Sequence, residues 1–468
     1  MICKWTNKFI ACTIMFLSLA IFSFGENTIL RLDEFIQNIE LFHPLVKQAN
    51  LKLKIGEAQI LKAKGNFDPT IRSEWSEKNL DDKLYYRQFH TKLRIPTPIG
   101  VDIVSGYENN QGLYLNPEST VKQNGLWHIG LEVDVLQGLI TNERKTALKI
   151  ASEYNTLLRN EKVQYTNDVL INAISAYLQW QMYSQIDSIL NENIELSTTY
   201  HNNTLHAFRA GEKTAIDTLE AHMLLQEAQY TSQKNLIDLT KSKYNVENFL
   251  WYENQAISLQ TNTKPETFSH TTLFKIVETK ISDTSIENNP YIQTTLNKLS
   301  IAEIEQRLKI EKLKPKLKIK YNPLFNYQRN DILPNYYYDN SAFGAVFTMP
   351  LFLRNERAEI QQNKIKIQEL KLDIDNKKNE LNNKISNAKI QLSLIQTQIK
   401  LLYSNITNLE KLLEAENEKF NFGESSVFLL NKRQEKLITT KIKLIECLFK
   451  QESESLNYLY YTNQLGTK

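Results

Sequence analysis

The seven histidines, His43, His90, His128, His201, His206, His222 and His270, are the first residues to test for chemistry. A helical HExxH pair would set two imidazoles on one face over a zinc ion, and no such spacing occurs. None of the seven sits with cysteines. His201 and His206 are five apart, off a shared helical face, and read as solvated side chains rather than ligands. No G-x-G-x-x-G, P-loop or G-x-S-x-G supplies a phosphate cradle or a nucleophile elbow. Cys3 and Cys12 fall in an apolar leader, which leaves Cys447 without a partner for an intramolecular disulfide. The charged residues of the long helical stretches read as solvated faces rather than acid–base pairs. The residues point to no enzyme, no cofactor and no metal.

The elements that could position a function begin after the leader. MICKWTNKFIACTIMFLSLAIFSFGEN opens with Lys4 and Lys8, continues with an apolar run from Phe9 to Phe24, and offers small residues at Ser23 and Gly25. Residues 1–25 read as a secretory signal peptide cut between Gly25 and Glu26. No cysteine sits at the cut to take a lipid. The full chain carries a net charge of +3, and losing Lys4 and Lys8 brings it closer to neutral, so no basic field invites nucleic acid. No later apolar run approaches the roughly 18 residues of a membrane helix. The mature chain is therefore soluble or spans a membrane by β-structure.

One plan is written twice. FHPLVKQANLKLKIGEAQILKAKGNFDPTI (Phe42 to Ile71) matches NNPYIQTTLNKLSIAEIEQRLKIEKLKPKLKI (Asn288 to Ile319), with Pro44 over Pro290 and Pro69 over Pro315. TNERKTALKI at Thr141 matches RNERAEIQQN at Arg354. FRAGEKTAIDTL, with Phe208, Arg209, Gly211 and Glu212, matches FNFGESSVFLLN, with Phe420, Gly423 and Glu424. The first repeat takes residues 26–260, with a β-segment about 70–136 and a helical-hairpin tip at 211. The second takes 261–468, with a β-segment about 316–350 and a tip at 423. Pro69 and Pro315, then Asn142 and Asn355, mark the junctions between helix and strand.

With only 13 Gly and 11 Pro to interrupt it, the chain favours long helices, expected from Asn142 to Arg209 and from Asn355 to Asn421. At 1.5 Å per residue each would reach roughly 100 Å. In the second, Ile385, Ala388, Leu392, Ile395, Ile399, Leu402, Ile406, Leu409 and Leu413 alternate steps of three and four, a heptad seam. The first is less regular: Ile174, Leu178, Met182 and Ile186 step by four, with Tyr177 beside them. Leu219, Met223 and Leu224, and later Leu437, Leu444 and Leu448, supply apolar positions on the return helices. Each glycine then closes an antiparallel hairpin from the left-handed position that ends a helix.

Period-two alternation marks the β-segments. Trp127, Ile129, Leu131, Val133 and Val135 alternate with His128, Gly130, Glu132 and Asp134; Phe343, Ala345, Phe347 and Met349 behave alike. Leu317, Ile319 and Tyr321 alternate with lysines. Aromatic residues cluster here, among them Tyr321, Phe325, Tyr327, Tyr336, Tyr337, Tyr338 and Phe343, as expected at water–lipid boundaries. Such strands suit a sandwich or a membrane barrel with lipid outside and a wet lumen. Four strands are too few for a barrel, whose smallest usual count is about eight, so several chains would share it. The longer first segment adds either a long external loop or a further hairpin, for six strands per chain.

Taken in order, GNFDPTI, TNERKTALKIA, FRAGEKTAIDTLEA, RNERAEIQQNK and FNFGESSVFLLNKRQ resemble the outer-membrane efflux protein (TolC) family, over nearly the whole mature chain. The resemblance implies a mainly α fold with a β-barrel portion: two structural repeats whose long antiparallel coiled-coil helices build a periplasmic α-barrel, and whose strands join a trimeric outer-membrane β-barrel. It implies a homotrimer in outer-membrane lipid, a passive exit duct for tripartite efflux or type I secretion. A periplasmic adaptor would link it to an inner-membrane transporter. Phe208, Arg209, Gly211, Glu212, Phe420, Gly423 and Glu424 would then form the docking tips. Family members often carry an acidic residue just past the glycine. Asp217 holds that place in the first repeat, but Leu429 and Lys432 stand in the second, so these aperture positions do not promise a dense carboxylate ring. The rival reading is a secreted, elongated coiled-coil scaffold or adhesin, which needs neither the divided β-segments nor the doubling.

Overall fold

The computed structural model describes residues 29–465 except 123, 272, 281–285 and 327–334. The leader and Tyr327 lie outside the described residues. Helices α1 (Leu32–Phe42) and α2 (Pro44–Lys64) part at His43, which is extended as a residue before proline should be. Pro44 opens α2 where its missing N–H costs nothing. The other helices are α3 (Glu143–Arg209, 67 residues), α4 (Ala215–Glu247), α5 (Leu273–Lys280), α6 (Pro290–Glu311), α7 (Arg354–Asn421, 68 residues) and α8 (Val427–Tyr461).

The chain divides into two compact units, each drawing on both halves of the sequence. One comprises Met1–Gln48, Tyr165–Thr284 and Leu381–Lys468; the other comprises Ala49–Gln164 and Ser285–Glu380. The first unit is helical. Its core gathers Phe35, Ile39, Leu170, Ile174, Tyr177, Leu178, Trp180, Val246, Leu456 and Tyr458. Phe35 stacks on Tyr177 at 5.5 Å, and Trp180 meets the same ring edge-on at 5.9 Å. The Tyr177 hydroxyl donates to the Leu30 carbonyl (2.7 Å) and accepts from the Glu266 N–H (3.3 Å). It thereby ties together the short parallel pairing of Ile29–Leu30 with Lys264–Pro265. A buried tyrosine that finds both a donor and an acceptor escapes the desolvation penalty of an orphan hydroxyl.

The heptad stripe of α7 turns toward α8. Ile395, Ile399, Ile406 and Leu409 are buried with Leu437, Leu444 and Cys447, while Leu402, Leu413 and Leu448 pack alongside. Ala388 and Leu392 belong to the larger core, with Ile385 against it. Cys447 is a seam residue; burial pushes its thiol pKa up, away from reactivity. On α4 the expected apolar face is not the buried one. Leu219 and Met223 are exposed, and Ala221, Ala228, Ser232, Asn235 and Ser242 take the inner positions. Small residues there leave no room for the leucines that a simple amphipathic reading would place inside.

The second unit holds one antiparallel sheet of six strands: β1 (Thr70–Leu80), β2 (Lys83–Pro96), β3 (Val101–Gln111), β4 (Leu126–Asp134), β5 (Lys316–Asn326) and β6 (Asn335–Thr348). They lie in chain order, each beside the next. The long first segment thus provides two hairpins rather than an external loop. Asp81 and Asp82 both take positive φ at the β1–β2 turn, as a two-residue type I′ hairpin requires. The repeats meet where β4 pairs with β5, Leu131 opposite Tyr321 and Val133 opposite Ile319. Among the described residues, strands β1 and β6 each keep one edge without a partner in the sheet.

Candidate functional site

The sheet is turned inside out relative to a water-soluble one. Its register brings Ile71, Trp75, Phe89, Leu93, Ile95, Ile103, Tyr107, Trp127, Ile129, Leu131, Val133, Ile319, Tyr321, Phe343 and Phe347 onto one face across all six strands. Much of that face is uncovered: Trp75 is 61% exposed and Phe343 69%. The opposite face carries most of the charges, and two of its carboxylates, Glu132 and Asp102, are buried. Glu132, 4% exposed, accepts from Lys92 at 2.7 Å and lies 3.6 Å from Lys318. Asp102 pairs with Arg94 and, at 2.7 Å, with Arg144 on α3. A buried carboxylate without a partner is costly, so each of these holds two cations. In water every large side chain on the apolar face would forgo about 1.5–3 kcal/mol of burial. Monomeric soluble proteins rarely expose a continuous patch of this kind.

The junction residues have distinct local tasks. Pro69 and Pro315 stand directly before β1 and β5, where the chain must leave the helical region. Asn142 is the N-cap of α3: its Oδ1 accepts from the Lys145 N–H at 2.8 Å. Asn355 differs. It already lies inside α7 and donates from Nδ2 to Glu359 at 3.4 Å, while Leu353 before it takes φ 49°. Beside α3, Lys312 donates to Glu143 at 2.9 Å and holds that carboxyl below its usual range.

The two hairpin turns share one backbone design. At the end of α3, the Glu212 N–H bonds to the Ala207 carbonyl (2.9 Å) and the Gly211 N–H to Phe208 (3.0 Å). At the end of α7, Glu424 bonds to Lys419 (2.9 Å) and Gly423 to Phe420 (3.1 Å). Both patterns are Schellman caps, which need a left-handed residue after the helix; Gly211 has φ 79° and Gly423 78°. The turns also touch, since the Lys213 ammonium lies 4.4 Å from the centre of the Phe420 ring.

Beyond the glycines the turns diverge. Thr214 and Asp217 form a reciprocal capping box at the start of α4: the Asp217 N–H donates to Thr214 Oγ1 (3.3 Å), and Asp217 Oδ2 accepts from the Thr214 N–H (2.9 Å). Those bonds to Thr214 keep the Asp217 carboxyl below its usual pKa. In the second turn Ser426 caps α8 through the Leu429 N–H (3.3 Å), and Leu429 has no carboxylate to answer with. Glu416 of α7 braces this turn instead, accepting from Ser425 (2.6 Å) and Arg433 (3.5 Å). The Ser425 bond, helped by Arg433, lowers the Glu416 pKa. Lys432 pairs with Glu435 at 2.9 Å on the surface.

The tip residues expected from sequence, Phe208 and Phe420 with the polar Arg209, Glu212 and Glu424, do not include every apolar side chain exposed at the turns. Phe208 is open to solvent as expected, but so are Phe428 and Ile216, and Phe422 is 82% exposed. Phe422 could have been noticed as the residue before the turn glycine, a capping position whose side chain no longer follows the helical stripe. Asp217, picked as an aperture candidate, has its carboxylate engaged in the cap.

No model of a protein family matches the sequence, and no curated protein matches it. Solved structures do match in fold. The CmeC outer-membrane channel of Campylobacter jejuni gives a TM-score of 0.64 at 12% identity, over 92% of this chain and 85% of CmeC. CusC, whose structures concern folding and transmembrane channel formation, gives 0.67 at 12% identity over 95% of each chain. The open-state MtrE outer-membrane channel of Neisseria gonorrhoeae gives 0.63 at 12% identity, over 93% and 89%. At such identities the likeness is one of fold, and it is the fold that the family resemblance implied.

Proposed function

From a chain with the fold of outer-membrane efflux channels, we propose one third of an exit duct: a homotrimer whose strands share a barrel in the outer membrane and whose helical hairpins build a periplasmic tunnel. The observation that carries this reading is the sheet, apolar and exposed on one face, with buried, cation-paired carboxylates on the other, and edges at β1 and β6 that have no partner among the described residues. Lipid favours the first face. Open edges in hydrocarbon are untenable, since each unsatisfied backbone group costs several kcal/mol there. Three copies would bring about eighteen strands, so β1 of one chain could pair with β6 of the next. Barrel diameter grows roughly linearly with strand number, so this barrel would be wider than one built from four strands per chain.

The duct is passive in this reading. A signal peptide exports the chain, and an inner-membrane transporter supplies the energy through a periplasmic adaptor that meets the Gly211 and Gly423 turns. The paired turns, with Phe208, Phe422 and Phe428 exposed beside Arg209, Glu212 and Glu424, offer a mixed surface suited to a partner protein. A secreted scaffold would have to keep the apolar face of the sheet in water.

The test is extraction and conduction. The protein should leave membranes with detergent and not with a salt wash, run as a heat-resistant trimer, and give single-channel conductance in planar bilayers. Release by salt, or a folded monomer that conducts alone, would overturn the reading.

A further inference from the structure

The turn at Gly211 sets two histidines side by side. His201 on α3 and His222 on α4 stand almost equally far along the chain from that glycine, so the antiparallel arms bring them abreast. Their ring centres are 5.1 Å apart, with the planes inclined by 47°. His201 is half-buried and His222 exposed, so the pair is open to solvent from one side.

That spacing has chemical meaning. A zinc–imidazole bond is about 2.0–2.1 Å, and the ring centre lies about 1.1 Å behind the nitrogen. Two imidazoles bound tetrahedrally to one cation would therefore have centres about 5.2 Å apart. Imidazole is also the commonest protein ligand for zinc, copper and nickel. Among the described residues no group of three or more His, Cys, Asp or Glu could hold a metal ion, so water would complete the coordination here. Two ligands with open positions make an exchangeable site rather than a structural one.

We propose that His201 and His222 form a two-imidazole site for a divalent cation of the nickel, copper or zinc kind, bridging the arms of the first hairpin close to its turn. Each arm contributes one ligand, so a bound cation ties α3 to α4. Anything that binds only the closed arrangement stabilises it in proportion to its occupancy. The second hairpin carries no histidine, so the clasp belongs to one of the two turns. The inference does not depend on the duct reading, because the pair lies within one chain.

The experiment titrates untagged, full-length protein in detergent with nickel, copper and zinc chlorides by calorimetry. One site per chain is expected, with copper bound more tightly than nickel or zinc. His201→Gln and His222→Gln should each weaken it at least about tenfold, while His206→Gln leaves it unchanged. His222→Cys, which restores a donor, should recover zinc binding. Saturating nickel should slow amide exchange in the residues flanking Gly211 in the parent and in neither Gln variant. Undiminished binding in both Gln variants would overturn the proposal, as would no binding of any of the three cations by the parent.

Discussion

The two hairpins turn by the same hydrogen bonds and yet are built differently. The second buries its large aliphatic residues: Ile395, Ile399, Ile406 and Leu409 meet Leu437 and Leu444 between the arms. The first return helix, α4, buries Ala221, Ala228, Ser232, Asn235 and Ser242, and shows Ile216, Leu219, Met223, Tyr230, Ile237 and Tyr244 to the outside. These exposed positions step by three, four and then seven, which is a heptad register facing away from its own chain. The sheet makes the same inversion. Apolar periodicity thus identifies a face that must be covered, while the side chains on the opposite face decide whether the chain covers it itself. In the trimeric reading, the α4 stripe is where another copy would lie.

Aspartate substitutions should separate the two cases with the largest effect expected. Ile399→Asp with Leu402→Asp places charge in the seam between α7 and α8, and breaking burial this way costs about 3–5 kcal/mol. Thermal unfolding of the detergent-solubilised protein should shift down by many degrees and, in the duct reading, export should be lost. Ile237→Asp lies on a residue 70% exposed in the single chain, where a substitution changes stability within about 0.5 kcal/mol. Its helical content should be unchanged, but in the trimeric reading the assembly should lose its heat resistance. Equal melting of the seam variant and the parent would mean that the stripe faces solvent. An Ile237→Asp trimer as robust as the parent would remove the stripe from the assembly.

This contrast also explains what could be read from sequence. The seam on α7 was legible because Ile and Leu recur without a break, and the fold class followed from long helices plus alternating segments. The turns were legible because glycine is nearly obligatory where a Schellman cap needs positive φ. The inward face of α4 was not, since Ala, Ser and Asn carry little hydrophobic signal and the outward Leu219 and Met223 mimic a core stripe. The four strands of the first β-segment stayed open because Asp81-Asp82 is a weaker hairpin signature than Asn-Gly or Asp-Gly. The pairing of His201 with His222 depends on register across the turn, which neighbour-to-neighbour spacing within one helix does not reveal.

A smaller effect separates the far end of α8 from its turn end by acid–base behaviour. Glu452 is buried and accepts from the Phe274 N–H at 3.1 Å, at the start of α5. Burial, only partly offset by that bond and by Lys275, raises its pKa from 4.5 to about 7. The folded state therefore holds this proton more tightly than the unfolded chain. Its stability contribution is complete below about pH 4.5 and is lost as pH rises through about 7, a change of up to about 3 kcal/mol. Glu452→Gln keeps an acceptor without the charge. It should raise the melting temperature at pH 8, change it little at pH 4, and flatten the profile between. An unchanged profile would mean that the Glu452 proton is not linked to folding.

The smallest effect expected bears on the turns themselves. Asp217 and Leu429 hold equivalent places, the third residue of the helix after each turn, and only the first can complete a capping box. If that is the work of the carboxylate, the residues should be exchangeable in a predictable direction. Asp217→Leu leaves the Thr214 N–H without its partner and should destabilise the first hairpin by about 1 kcal/mol. Leu429→Asp gives Ser426 a reciprocal partner beside a helix N-terminus, where negative charge is favoured by about 0.3–1 kcal/mol, and should stabilise the second. Local amide exchange at the start of α4 and α8 reads each change separately. Both cap effects rest on ionised carboxylates, and Asp217 is held below its usual range by Thr214, so the first should persist at neutral pH and fade only in strong acid. Conductance supplies the discriminating measurement. In the duct reading, a capping carboxylate predicts the same ion selectivity in the parent and in Asp217→Asn, whereas a carboxylate lining an aperture predicts that any cation preference falls with the charge. A drop in cation selectivity without any change in exchange at α4 would favour the aperture role for Asp217 over the capping one.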